Sequence, residues 1–319
     1  MMKKILITGG AGFIASHLAD ILIKQKGYKI TAIDNLWLGK IENIAHLKNN
    51  PNFTFIKLDL LNKKSVEKLF IKNKFDVVYH LAANSDISRG SKDRTIDFNL
   101  NLVTTISVLE AMVKSGTKKI VFSSTGAIYG DLGKPMKEDS GPLFPVNFYG
   151  AGKLSAEAYI ASYSSVFDLQ VWICRFPNII GERSTHGVMF DFINRLRRNP
   201  NELTVLGDGN QYKPYMYVAE LVKNIYEFTK KTNSRINVIN FGVSDGMFVR
   251  DIAKMVIKKL KLNSKIVYTG GSSGWKGDVP KYSYDYSYMK SLGFKSMKSK
   301  EAVEKAIDNS LAREKNSKK

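Results

Sequence analysis

Short apolar runs punctuate the first half of the chain, and between them apolar positions recur at helical spacing. Residues 3–8 predict a strand and residues 13–26 a helix. The alternation continues with strands at 29–34 and 53–58, a helix at 63–72 and a strand at 75–80. A long helix at 93–114, a strand at 119–123, a helix at 149–164 and a strand at 169–174 follow. Strands separated by helices imply a parallel sheet covered on both faces, with right-handed crossovers. The fold class expected is therefore α/β, built on a doubly wound parallel sheet. Beyond about residue 175 the pattern loosens. Short helices near 189–198 and 219–229 alternate with loops, short strands and glycine-rich turns at 207–209 and 270–274. This predicts a smaller C-terminal lobe over 176–319 beside a main domain at 1–175, with residues 238–241 returning to the sheet. No internal repeat is apparent.

The 319 residues are 44% hydrophobic, enough for a sizeable core. No run approaches the roughly 18 apolar residues that a membrane span needs. The start, Met1-Met2-Lys3-Lys4, leads into a strand-like run rather than a secretory signal. The lone Cys174 sits in the apolar run Val171-Trp172-Ile173-Cys174, which reads as a buried thiol in a reducing, cytoplasmic setting. Forty-nine basic and 29 acidic residues give a net charge of +20. The lysines are spread along the chain without a basic stripe interleaved with aromatics. A solvated basic surface accounts for them better than nucleic-acid binding does. The tail at 315–319 reads as disordered.

The first chemical signal lies directly behind the first strand. Gly9-Gly10-Ala11-Gly12-Phe13-Ile14-Ala15 joins strand to helix, with Ala15 where a third glycine would lie. Such a turn lets backbone approach a pyrophosphate, and the helix N-terminus supplies free N–H donors, so a Rossmann-like dinucleotide site is expected. Asp34 ends the second strand, 22 residues after Gly12. A carboxylate there accepts from ribose hydroxyls and repels a 2′-phosphate, favouring NAD over NADP. Its competing reading is a helix cap. Asp59, ending the third strand, reaches the adenine or caps the next helix.

The second signal is Tyr149-Gly150-Ala151-Gly152-Lys153. Tyr149 and Lys153 are four apart and share a helix face. A nearby ammonium favours phenolate and is expected to lower the tyrosine from about 10, making it a general base for an alcohol proton. Ser123-Ser124-Thr125 closes a preceding strand and can supply a hydroxyl beside that phenol.

With these residues and five further motifs the chain resembles the extended short-chain dehydrogenase/reductase family. Within it, the nearest group is the nucleotide-sugar epimerases and dehydratases, above all the UDP-glucose 4-epimerases. The motifs, in family order over nearly the whole chain, include His80-Leu81-Ala82-Ala83, Ser123 through Gly130, Arg175-Phe176-Pro177-Asn178, Leu206-Gly207-Asp208-Gly209 and Gly274-Trp275-Lys276-Gly277-Asp278. The resemblance implies that Thr125, Tyr149 and Lys153 are catalytic, with Lys153 also holding the nicotinamide ribose. It implies an NAD site formed by Gly9, Gly12, Phe13, Ile14, Asp34 and Asn35. Asp59, Leu60, Leu81, Ala82, Ala83 and Asn99 would join them. It implies a substrate site that takes in Thr125, Asn178, Val205 and Lys213, with Trp275, Lys276, Asp278 and Tyr282. Lys213 stands where the family carries a phosphate-binding arginine, giving charge without the bidentate fork. Trp275 stands where many members have another. Asp278 binds the nucleotide ribose or orders the turn. Tyr282 lies beside the C2 substituent of the sugar, where bulk disfavours an N-acetyl group, or packs among neighbouring tyrosines.

Members that eliminate water carry an Asp-Glu pair straight after the threonine, and decarboxylating members usually carry a glutamate in the second place. Here these are Gly126 and Ala127, which leaves epimerisation by oxidation and re-reduction. The activity implied is NAD-dependent 4-epimerisation of UDP-glucose and UDP-galactose. Rival readings are a UDP-N-acetylglucosamine or UDP-glucuronate 4-epimerase and, in a different class, a non-catalytic dinucleotide sensor. The resemblance also implies a homodimer, formed through helices at about 93–114 and 149–164, and no nucleic-acid or membrane partner.

Overall fold

The structure is a computed structural model and describes residues 2–130, 134–274, 277–278 and 283–317. The chain opens with β1 (Lys3–Thr8), α1 (Phe13–Leu22), β2 (Tyr28–Asp34), β3 (Phe53–Lys57), α2 (Lys63–Asn73) and β4 (Val77–His80). Two short helices, α3 (Ile87–Lys92) and α4 (Arg94–Asp97), lead through a π turn at Phe98–Val103 into α5 (Thr104–Ser115). β5 (Lys119–Thr125), α6 (Phe148–Phe167) and β6 (Gln170–Phe176) complete the first half. The second half begins with β7 (Asn178–Ile180), α7 (Val188–Arg198), β8 (Glu202–Val205), β9 (Tyr212–Lys213), β10 (Tyr215–Tyr217) and α8 (Val218–Lys231). It ends with β11 (Ile236–Asn240), β12 (Met247–Phe248), α9 (Val249–Lys259), β13 (Lys265–Tyr268), α10 (Ser287–Ser291) and α11 (Ser299–Ser317).

Seven parallel strands form the main sheet in the order β3-β2-β1-β4-β5-β6-β11. The order reverses between β1 and β4, which is where a doubly wound sheet opens a ligand crevice at its C-terminal edge. Alternation along β1 divides the core. Ile5 and Ile7 pack with α1 and α8 residues such as Leu18, Leu22 and Val222. Leu6 faces the other way, among Phe70, Leu109, Met112 and Ile160 of α2, α5 and α6. Burying each such side chain contributes about 1.5–3 kcal/mol. A separate cluster joins α7, α9 and α11 through Phe192, Leu196, Ile252, Val256 and Ile307. The return of the chain to the sheet is β11, paired with β6 from Ile236 to Asn240.

Boundaries differ from the sequence pattern where tertiary contacts add or remove pairing. The first helix stops at Leu22 rather than 26, ahead of Gly27 at φ +80°. β5 runs two residues past the expected end because Ser124 and Thr125 pair with Arg175 and Phe176. This carries Thr125 to the tip of the strand. α6 is preceded by Asn147, whose Oδ1 accepts from the Gly150 amide at 2.8 Å, a side-chain N-cap that fixes the start of the helix carrying Tyr149. By length and composition one described helix passes for a membrane span. Arg94–Ser115 is long and apolar enough by composition, with a mean hydropathy of 1.3, but half of it is buried and α5 packs against α2 and α6. Its apolar content is that of a core helix.

Candidate active site

A cavity of about 660 Å³ runs along the C-terminal edge of the sheet and under the second half of the chain. Its floor is made by the ends of β1, β2, β4 and β5, and its far wall by residues after β6.

The dinucleotide half is built on backbone. Gly9 has φ +66°, and a side chain there would lie 2.8 Å from the Ala82 backbone, so only glycine lets the β1 turn pass so close to the end of β4. At Gly12 an added Cβ would come 2.9 Å from the Gly9 carbonyl oxygen. No side chain caps α1, a helix start suited to receive an anion. Asp34 is buried in the cavity wall. Its Oδ2 accepts from the Ala11 amide at 3.1 Å and its Oδ1 from the Leu36 amide at 2.7 Å. Burial pushes its carboxyl above the usual range, against the pull of those two amides. No helix starts beside Asp34, so it caps none. Asp59 accepts from Asn35 Nδ2 at 3.1 Å and from the Leu61 amide at 2.8 Å, and α2 is capped by Asn62 instead. Phe13, Ile14, Asn35, Asp59, Leu60, Leu81, Ala82 and Ala83 all line the cavity. Asn99 does not. The π turn carries an extra residue per turn and rotates the helix faces, and Leu100 and Thr104 line the cavity instead. The glycine cradle, the uncapped helix start and the Asp34 carboxylate suit an adenine dinucleotide with an unphosphorylated ribose.

At the centre, Thr125, Tyr149 and Lys153 come together. The Tyr149 phenol lies beside the Thr125 hydroxyl, which favours its ionised form, and the Thr125 hydroxyl oxygen accepts from the Ala127 amide at 3.1 Å. Tyr149 keeps part of its surface open to the cavity. Lys153 is buried. Its Nζ donates to the Ser123 carbonyl at 2.7 Å and lies 4.6 Å from the centre of the Phe122 ring. The expected lowering of the phenol by Lys153 does not hold. Burial pushes Tyr149 up to about 12, opposed by the Thr125 hydrogen bond and reinforced by the Asp97 charge. Burial also lowers Lys153 to about 7, opposed by Glu157 and Asp97. Withdrawal from water is the largest cause of both shifts.

In the substrate half, Asn178 lines the cavity and its side chain reaches the Pro214 carbonyl at 3.4 Å. Lys213 is buried and pairs with Asp278 at 2.5 Å, while the other Asp278 oxygen accepts from the Gly274 amide at 3.2 Å. Asp278 therefore both lines the cavity and orders the glycine turn. Val205 is a correction. It is fully buried in the α7/α9/α11 core, and its neighbour Leu206 lines the cavity. β8 ends at Val205, and Leu206 lies in the bend beyond it. Trp275, Lys276 and Tyr282 lie outside the described residues. Among the lining residues that the sequence pattern did not single out are Ser85, Asp86, His186, Arg195, Tyr215 and Tyr284. The first two follow β4, and the rule that ligands sit beyond strand C-termini could have found them. The others come from distant segments and carry no local signal.

The comparisons with known proteins agree with this geometry. Residues 5–242 match the model of the NAD dependent epimerase/dehydratase family. A putative UDP-glucose 4-epimerase of Methanocaldococcus jannaschii is 30% identical over 311 residues, covering 95% of this chain and 97% of that protein. The UDP-glucose 4-epimerase of Thermotoga maritima, solved with UDP-glucose, superposes with a TM-score of 0.86 at 30% identity, covering 97% of this chain and 99% of that one. The UDP-glucuronic acid 4-epimerase of Bacillus cereus, solved with UDP-glucuronic acid and NAD, gives 0.86 at 28% identity, with coverage of 97% and 99%. A family match over most of the chain and full-length likeness to solved epimerases lead to one conclusion: this chain belongs to the NAD dependent epimerase/dehydratase family.

Proposed function

We propose that this protein interconverts UDP-glucose and UDP-galactose by NAD-dependent 4-epimerisation through a transient 4-keto sugar. The observation that carries this reading is the group Thr125, Tyr149 and Lys153 in the cavity, followed by Gly126 and Ala127 where an eliminating or decarboxylating enzyme needs an acid. Bound NAD supplies hydride acceptance and return. The protein supplies the rest. Gly9, Gly12 and the start of α1 hold the pyrophosphate, Asp34 the adenosine ribose, and Lys153 the nicotinamide ribose. Thr125 orients the sugar 4-hydroxyl toward Tyr149. Tyr149, as phenolate, takes the hydroxyl proton as C4 is oxidised. Burial holds the phenol above its ordinary range, and the Thr125 hydroxyl opposes that shift by favouring the phenolate. The 4-keto sugar turns within the cavity while its nucleotide stays held by Asn178 and Lys213, and Tyr149 returns the proton after reduction from the other face. Binding energy from the unreacting nucleotide holds the intermediate. A homodimer in the cytoplasm belongs to the same reading, supported by exposed apolar side chains on α6 and a fully buried lone thiol.

The test is proton NMR of purified protein with UDP-glucose, following C4 configuration. Galactose signals should grow to an equilibrium mixture without net NADH. Tyr149→Phe should slow this by about 10²–10⁴-fold while NAD stays bound. Net oxidation of NAD, loss of a hydroxyl from the sugar, or full activity in Tyr149→Phe would overturn the reading.

A further inference from the structure

Gly126 stands directly after Thr125, and the space its side chain would take is already filled. A Cβ built there would end 2.0 Å from the Tyr284 hydroxyl and 2.4 Å from Tyr284 Cζ. Tyr284 reaches this point from the far end of the sequence and lines the cavity together with Thr125, Ala127 and Tyr149. It is held in place by backbone on both sides. The Met136 amide donates to the Ser283 carbonyl at 3.0 Å, and the Asp285 amide donates to the Met136 carbonyl at 2.9 Å. Its ring lies 6.3 Å from Tyr129 and 5.8 Å from Tyr286, and it packs on the buried cluster of Ile128, Tyr129 and Met136.

Among the described lining residues, carboxylates outnumber cations. Among the described lining residues the lysines and arginines are Lys153, Arg195 and Lys213. Each has its own partner: Lys153 the Ser123 carbonyl, Arg195 the Thr204 carbonyl and Lys213 the Asp278 carboxylate. Arg175, nearby over the Tyr129 ring, is paired with Glu157. Five carboxylates, Asp34, Asp59, Asp86, Asp191 and Asp278, line the same cavity. A further carboxylate placed against Tyr284 would lose water without gaining a cation.

We propose that Tyr284 is a specificity-determining residue that reserves the space beside the reacting carbon for a neutral substituent, so that the protein accepts sugars with a hydroxymethyl group at C5 and rejects uronic acids. The inference rests on the 4-epimerase reading, which puts O4 between Thr125 and Tyr149. Of the groups next to C4, the C5 substituent is the one that ionises in a uronic acid. The Tyr284 phenol presents a neutral wall to it beside Gly126.

The test measures binding of UDP-glucose and of UDP-glucuronate to the NAD-loaded protein by calorimetry, and turnover of each. The wild-type protein should bind UDP-glucose more tightly by about tenfold or more, and Tyr284→Ala should close most of that gap. Gly126→Ala should weaken UDP-glucose binding in the presence of Tyr284 and much less in the Tyr284→Ala background, because the two side chains compete for one space. Should Tyr284→Ala fail to fold, the wild-type preference and the effect of Gly126→Ala remain decisive. Equal affinity of the wild type for both nucleotides, or a gap untouched by a folded Tyr284→Ala, overturns the proposal. If the preference holds and moves with Tyr284 but neither sugar is epimerised, the reaction assigned above fails and the pocket assignment stands.

Discussion

His80 shows how a buried side chain is held in one protonation state by its neighbours. The Thr8 hydroxyl oxygen accepts from the Leu81 and Ala82 amides at 3.2 and 3.1 Å. Its own proton therefore goes to His80 Nδ1, at 2.7 Å. That leaves Nε2–H to donate to the Thr105 hydroxyl at 3.0 Å, and Thr105 donates in turn to the Asn101 carbonyl at 2.6 Å. The ring is neutral, and burial, helped by the Lys153 charge, pushes it down to about 3. The linkage has a definite sign. Below pH 6.5 the unfolded imidazole binds a proton that the folded one refuses until about pH 3. Stability from this group is fully present above 6.5 and falls with pH through that window, by at most about 1.4 kcal/mol per unit. Urea midpoints at pH 7, 6 and 5 should show the decline, and His80→Gln should flatten it. An unchanged slope in that variant would remove His80 from the account.

At the scale of elements, Glu157 ties α6 to the sheet. Its carboxylate takes Arg175 Nη2 at 2.7 Å and Nε at 3.1 Å, and also the Ser124 hydroxyl. Arg175 Nη1 donates to the Tyr129 phenol oxygen at 2.9 Å, and the Tyr129 hydroxyl donates to Asn240 Oδ1 at 2.7 Å. One buried network thus joins α6, β5, β6 and β11. Glu157 lies one turn past Lys153 and two past Tyr149 on the same helix face, so the network also sets where the catalytic pair stands. Removing one partner of a buried ion pair strands the other charge. Glu157→Gln is expected to cost about 3–5 kcal/mol, read as a lower urea midpoint at constant m. Replacing Glu157 and Arg175 together with methionine should cost less than the sum of the two single changes. Additive losses would mean that the pair is not coupled.

For the whole molecule, the outer face of α6 remains to be covered. Tyr159 is 45% and Val166 72% exposed, and seven residues apart they share one helical face. Phe98, 57% exposed, lies at the start of the neighbouring π turn. Apolar side chains left open on adjacent helices favour a second copy of the chain as their cover. Sedimentation velocity should find a dimer. Tyr159→Glu with Val166→Glu should shift it toward monomer while the far-ultraviolet circular dichroism stays unchanged. A wild-type protein that is monomeric at tens of micromolar would sink this reading.

Much of the architecture and half of the site were legible in the sequence. Strand and helix periods, the glycine turn and the spacing of Tyr149 and Lys153 are local. Each follows from residues within a turn or a strand of one another, so the chain order alone determined the parallel sheet, the dinucleotide cradle and the shared helix face. Tertiary structure decided what depends on distant neighbours. The π turn replaced Asn99 by Leu100 and Thr104 at the cavity. Packing of the second half hid Val205 and exposed Leu206. Burial, set by the closed protein, drove the phenol of Tyr149 up although its ammonium partner stands one turn away. Tyr284 meets Gly126 across 158 positions of sequence. Periodicity determines local form because the backbone repeats, whereas solvation and steric exclusion are properties of the assembled interior, which no short stretch of chain contains.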